Sequence, residues 1–168
     1  KGNLMSNGNK SISQNKENQL ANIVNSSIGT QGSGNCLIGP YRPMGMVRIG
    51  PDSFYPNQTN GYQPGQSISG FSHTHVSGTG GSSRYGNVRI MPFTGEPRIN
   101  PITPFYSLPI HDRQSTLPKN EISKIGYYTA EFDIFSTKVE LTCTAHVGLH
   151  NYTFKNKNSR QILIDAGS

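Results

Sequence analysis

Tryptophan is missing from this 168-residue chain, cysteine occurs twice, and only 9 carboxylates stand against 15 lysines and arginines. Each shortage excludes something. Without tryptophan, the largest aromatic platform is gone, leaving the eight tyrosines and seven phenylalanines to supply aromatic faces. Two cysteines cannot build a disulfide framework. Cys36 and Cys143 lie far apart, and Cys143 alternates with Val139, Leu141 and Ala145, which reads as a buried, inert thiol. No window approaches the ~20 apolar residues of a membrane helix, so no membrane span is expected. No leader pattern opens the chain, which a processed start accounts for as well as cytosolic residence does. The shortage of carboxylates yields a net charge of +6. Yet Arg42, Arg48, Arg84, Arg89 and Arg98 are dispersed singly rather than clustered on one element, so no nucleic-acid partner is expected.

What is abundant is the chemistry of turns and strands. Charged residues make up 14% and hydrophobic residues 32%, while Gly contributes 19 positions and Pro 11. Such a composition points away from helices and toward short strands with long turns. Residues 1–21 are polar and aperiodic and read as a tail or linker unable to offset its ordering entropy, although Gln14 to Asn22 is compatible with a helical turn. Residues 22–168 read as one β-sandwich domain. Met44 to Ile49 looks strand-like and is expected to stop at Gly50-Pro51-Asp52, with Asp52 a turn residue. Asn87 to Met91 is a second strand, closed by Pro92. Thr94 to Pro118 carries five prolines and reads as a surface excursion.

The last third is the clearest. Tyr128, Ala130 and Phe132 alternate with polar neighbours, and after a turn near Phe135-Ser136 so do Val139, Leu141, Cys143 and Ala145. Further runs follow at Val147 to Phe154 and Ile162 to Ile164. Period-two alternation means one packed face and one solvated face, so the fold class is all-β, an antiparallel β-sandwich.

The densest polar stretch is Gly70-Phe-Ser-His-Thr-His-Val-Ser-Gly-Thr-Gly-Gly81. His73 and His75 are two apart, which on a strand places them on one face. A zinc ion would need a third donor, and His111, His146 and His150 show no ligand spacing, so no metal site is assigned. Ser77-Gly-Thr-Gly-Gly81 lacks the lysine of a phosphate-binding loop. Its glycines allow close backbone approach, and its hydroxyls suit a neutral, hydroxyl-rich ligand. Glycoside hydrolysis requires two carboxylates. Glu131, Asp133 and Glu140 look solvated, while Glu96, Asp112 and Glu121 belong to the Pro-rich region, so no catalytic residue is assigned.

Several segments, in order, resemble glycoside hydrolase family 92. Val24-Asn-Ser-Ser-Ile-Gly-Thr30 is similar to V-N-P-F-I-G-T, and Pro43-Met-Gly-Met-Val-Arg-Ile-Gly-Pro-Asp52 to P-F-G-M-V-x-L-S-P-D. Gly70 to Gly80 resembles G-F-S-H-T-H-x-S-G-T-G almost letter for letter. Tyr85 to Pro92 is similar to Y-G-D-I-x-x-M-P, and Lys138 to Thr142 to K-V-E-L-T. Val147 to Phe154 is similar to V-G-x-H-x-Y-T-F. Ser26-Ser27 in place of Pro-Phe, and Asn87 in place of an acidic residue, depart from the pattern.

The resemblance implies the amino-terminal β-sandwich, whole or in part, of a secreted (periplasmic or extracellular), calcium-dependent, inverting exo-α-mannosidase. It implies that the acid and base carboxylates and most calcium ligands belong to a carboxy-terminal helical domain absent from this chain. The partners it implies are α-mannosides and that helical domain. Carried onto this sequence, it nominates Thr30, His73, His75, Ser77 and Thr79 as polar contributors to the cleft, with Gly78 and Gly80 shaping the loop. The alternative is a stand-alone glycan-binding module without catalysis.

Overall fold

The computed structural model describes residues 19–32, 34, 36–53, 62–75, 86–96, 115–157 and 159–166. Eight strands follow in order: β1 (Gly50–Ser53), β2 (Ile68–His75), β3 (Gly86–Thr94), β4 (Lys119–Lys124), β5 (Tyr127–Phe132), β6 (Thr137–Cys143), β7 (Gly148–Phe154) and β8 (Arg160–Asp165). They form two antiparallel sheets, ordered β1-β2-β3-β8 and β4-β5-β6-β7. The expected all-β sandwich is therefore the architecture. Among the described residues only 19–23 are helical, at the end of the stretch read as a possible turn.

The second sheet is a plain meander, and its alternation sets it up directly. Tyr128, Ala130, Phe132, Val139 and Leu141 are almost wholly buried, while the neighbouring Tyr127, Glu131, Lys138 and Glu140 are only partly buried. Register pairs Tyr128 with Leu141 and Ala130 with Val139, so each layer of the core is filled from two strands. The β4–β5 hairpin turns through Ile125-Gly126, and Gly126 has φ 73°, a conformation glycine adopts without a Cβ penalty.

The two sheets meet through aromatic rings. Phe71 of β2 packs 5.9 Å from Tyr128 and 6.1 Å from Phe132, centroid to centroid. Phe93 of β3 lies 6.3 Å from Phe135. Ile49, Ile68 and Met91 complete the first sheet's share of the core. Each of these side chains contributes about 1.5–3 kcal/mol by leaving water.

Four expectations are corrected. Gly50-Pro51-Asp52 is not a turn but most of β1, paired with Phe71 and its neighbours. The apolar run before it forms instead a tight loop, with Tyr41 bridged to Arg48 and Met44 almost fully exposed. Pro92 does not end its strand. The β2 pairing of β3 stops at Ile90, so at Pro92 only β8 is a neighbour and the missing N–H costs the β2 ladder nothing. Glu121, read as part of the Pro-rich region, lies on β4. Most of that region, residues 97–114, falls outside the described residues. At its end Thr116 bridges Ile68 through two backbone hydrogen bonds of 2.8 and 3.1 Å. Cys143 is a free thiol, and burial pushes its pKa up.

Candidate functional site

The polar residues of the first sheet gather around Asp52. Strand β1 carries this carboxylate into the interior, where it is 3% exposed. A buried carboxylate must be fully partnered, and this one is. Its Oδ2 accepts a hydrogen bond of 2.6 Å from Ser72 Oγ, and its Oδ1 lies 2.8 Å from His75 Nε2. Its backbone oxygen accepts from Ser69 Oγ at 3.2 Å. The other nitrogen of His75, Nδ1, lies 2.9 Å from the carbonyl oxygen of Arg48.

Both neighbours of His75 are acceptors, so the ring satisfies both only by donating from both nitrogens. That is the imidazolium form. Burial pushes its pKa down, but the charge and hydrogen bond of Asp52 and the Arg48 carbonyl push it up further, and the net shift is upward. The pair is an ion pair with both side chains 4% exposed.

His73 turns elsewhere. Its Nε2 lies 3.4 Å from Nε2 of His150 on β7, with ring centroids 4.8 Å apart. His150 Nδ1 lies 2.6 Å from the Tyr152 hydroxyl. This row spans the gap between the sheets, and Gly148 makes room for it. A Cβ there would sit 2.8 Å from Cδ2 of His73. Burial and the neighbouring His73 lower the His150 pKa to about 4, so that ring is neutral at neutral pH. Nδ1 of His73 is buried with no hydrogen-bond partner.

The two histidines thus engage different sheets, although their spacing suggested a common face. Strand β2 ends at His75, and the buried Asp52 of β1 captures its ring. Thr30 is 1% exposed, and its hydroxyl donates 2.8 Å to the Ser27 carbonyl, closing its own turn rather than facing solvent. Ser77, Gly78, Thr79 and Gly80 lie outside the described residues. Asp52, His150 and Tyr152 were not among the nominated residues. The signal for them was present, since Asp52 closes the P-F-G-M-V-x-L-S-P-D-like segment and both others lie in the V-G-x-H-x-Y-T-F-like one.

The arrangement offers polar support. Among the described residues, Asp52, Glu121, Glu131, Asp133, Glu140 and Asp165 all hold partners of their own. Glu121 accepts from Tyr128 at 2.7 Å and from Tyr62 at 3.2 Å; burial raises its pKa and these two bonds oppose the rise. No three metal-ligating side chains converge among the described residues.

Residues 23–168 match the family model described as the glycosyl hydrolase family 92 N-terminal domain. The chain belongs to glycoside hydrolase family 92. It is similar to a family GH92 alpha-mannosidase from Bacteroides thetaiotaomicron, with 29% identity and a TM-score of 0.73 over 88% of this chain and 20% of that one. A second family 92 structure, an inverting mannosidase of the same organism, superposes with a TM-score of 0.66 at 19% identity, which speaks to fold alone. A protein described as an uncharacterized secreted glycosidase of Arthroderma benhamiae is 26% identical over 146 residues, which are 85% of this chain and 18% of that protein. The family 92 chain therefore spans about a fifth of the length of these relatives.

Proposed function

We propose that this chain forms one wall of the mannose-binding cleft of a secreted, calcium-dependent exo-α-mannosidase, with the acid and base carboxylates and most calcium ligands on a helical domain outside it. The observation that carries the reading is the 29% identity, with a TM-score of 0.73, to a family 92 alpha-mannosidase also solved with mannoimidazole. Secretion draws support from the relative named as a secreted glycosidase. In this reading the end of β2 supplies recognition rather than chemistry. His75 is locked by Asp52, and His73 and the neutral His150 present a polar row. Thr30 braces the turn behind the wall, and the stretch holding Ser77, Gly78, Thr79 and Gly80 completes it.

The test is hydrolysis of an aryl α-mannoside. The 168-residue chain alone should show none. The same chain, joined to the helical domain of a family 92 enzyme, should hydrolyse the mannoside with inversion, and a calcium chelator should abolish the activity. Hydrolysis by the isolated chain, or chelator-resistant hydrolysis by the joined protein, would overturn the reading. Saturable mannoside binding by the chain, with no activity in the joined protein, would favour a glycan-binding module instead.

A further inference from the structure

The outer face of the second sheet has a chemistry of its own. A shallow cavity of about 240 Å³ lies there, bordered by Tyr127, Glu140, Thr142, Leu149, His150 and Asn151. We propose that it binds a single neutral hexopyranose unit, as a second carbohydrate site distinct from the Asp52–His75 end of the first sheet.

Three observations carry this. The first is the mixture of surfaces. Leu149 is half exposed and, with the Tyr127 ring, offers an apolar surface to the C–H face of a sugar. Glu140, Asn151 and Thr142 supply polar groups beside it. Sugar sites need that combination, an apolar surface with a few fixed polar groups.

The second is preorganisation. Glu140 Oε1 accepts from the Tyr127 hydroxyl at 2.5 Å and from Lys138 Nζ at 2.8 Å. Its Oε2 accepts from Asn151 Nδ2 at 3.1 Å. Thr142 Oγ1 donates 2.8 Å to the Gly126 carbonyl. Each group is held, and each keeps capacity. A carboxylate has about four lone-pair sites, so Oε2 can take a further hydroxyl, while a hydroxyl or amide that donates once can still accept. The residues stand on β5, β6 and β7, with β6 paired on both sides, so the cavity rests on a rigid frame.

The third is charge. The hydrogen bonds from Lys138 and then Tyr127 hold the Glu140 carboxyl below its ordinary range. It is therefore an anion that repels phosphates and carboxylates. Lys138 already supplies its cation, so an ammonium ligand finds no unmet charge. Neutral hydroxyl donors are what the remaining lone pairs suit.

The test is an NMR titration of the isotopically labelled 168-residue chain with methyl α-D-mannopyranoside and, separately, methyl β-D-glucopyranoside. Saturable millimolar shifts of the Leu149 methyls and the Asn151 side-chain amide with either sugar are expected. Tyr127→Ala and Glu140→Gln should each weaken that binding about tenfold, with backbone spectra confirming that both variants fold. No saturable shift at Leu149 and Asn151 with either sugar would overturn the proposal, as would shifts that both variants leave unchanged. Shifts confined to His73 and His75 would overturn it while leaving the mannosidase reading intact.

Discussion

The two sheets solve the same packing problem with opposite materials. In the β4-β5-β6-β7 sheet the interior is largely apolar, the turns are short and the register is regular across β5, β6 and β7, shifting between Lys119 and Ile122 of β4. In the β1-β2-β3-β8 sheet the interior holds Asp52, Ser69, Ser72 and His75, and the β1–β2 register slips between Asp52 and Ser53. Buried polar groups cost free energy unless fully satisfied, and irregular, polar positions concentrate where a fold carries function. The first sheet holds the buried Asp52–His75 pair, while residues that the family motifs pick out lie on both sheets, His150 and Tyr152 among them on the second. Even the histidines differ in sign. Folding favours the charged form of His75 on the first sheet and the neutral form of His150 on the second.

The contrast can be broken most forcefully at Asp52. Asp52→Asn leaves His75 buried without its counter-charge and should cost about 3–5 kcal/mol in urea unfolding. Because the His75 pKa is raised, its contribution is complete below the ordinary histidine value near 6.5 and fades as pH rises through the folded value. The penalty should shrink accordingly toward alkaline pH. A loss no larger than that of a surface substitution would mean the first sheet's polar interior is not a structural hub.

Next in size is the contact between sheets. Gly148→Ala forces a Cβ to 2.8 Å from His73 Cδ2 and 3.2 Å from Ile49 Cδ1, an overpacking worth about 1–3 kcal/mol. Thermal unfolding of that variant checks it. A smaller effect is expected from His150. With its folded pKa lowered to about 4, its contribution is complete above about 6.5 and is lost as pH falls from there toward 4. Unfolding of His150→Gln should therefore lack the acid-side decline of the native chain over that window. Smallest is Lys119→Ala, which removes an exposed ion pair with Asp133 and should leave the unfolding midpoint unchanged.

The sandwich could be read in the sequence because alternation at Tyr128-Ala130-Phe132 and Val139-Leu141 states which face is buried. Which groups meet across strands could not be read that way. Asp52 follows Gly-Pro, a strong turn signature, and its partners Ser72 and His75 lie 20 and 23 residues away. A two-residue spacing says that His73 and His75 share a face, but not that a buried carboxylate at the strand end draws one ring aside. Glu121 is hidden for the same reason, since the tyrosines that hold it come from two other segments. Local patterns carry periodicity, and long-range polar pairing leaves no local trace.

The measurement that bears most directly on the account is kcat/KM for an aryl α-mannoside, with this chain joined to a family 92 helical domain. His73→Ala is compared with Thr153→Ala, an exposed position on the second sheet. The account predicts at least about a tenfold loss for His73→Ala and none for Thr153→Ala, with both proteins equally folded. Equal kcat/KM in the two variants would contradict the claim that the polar end of the first sheet is the recognition wall.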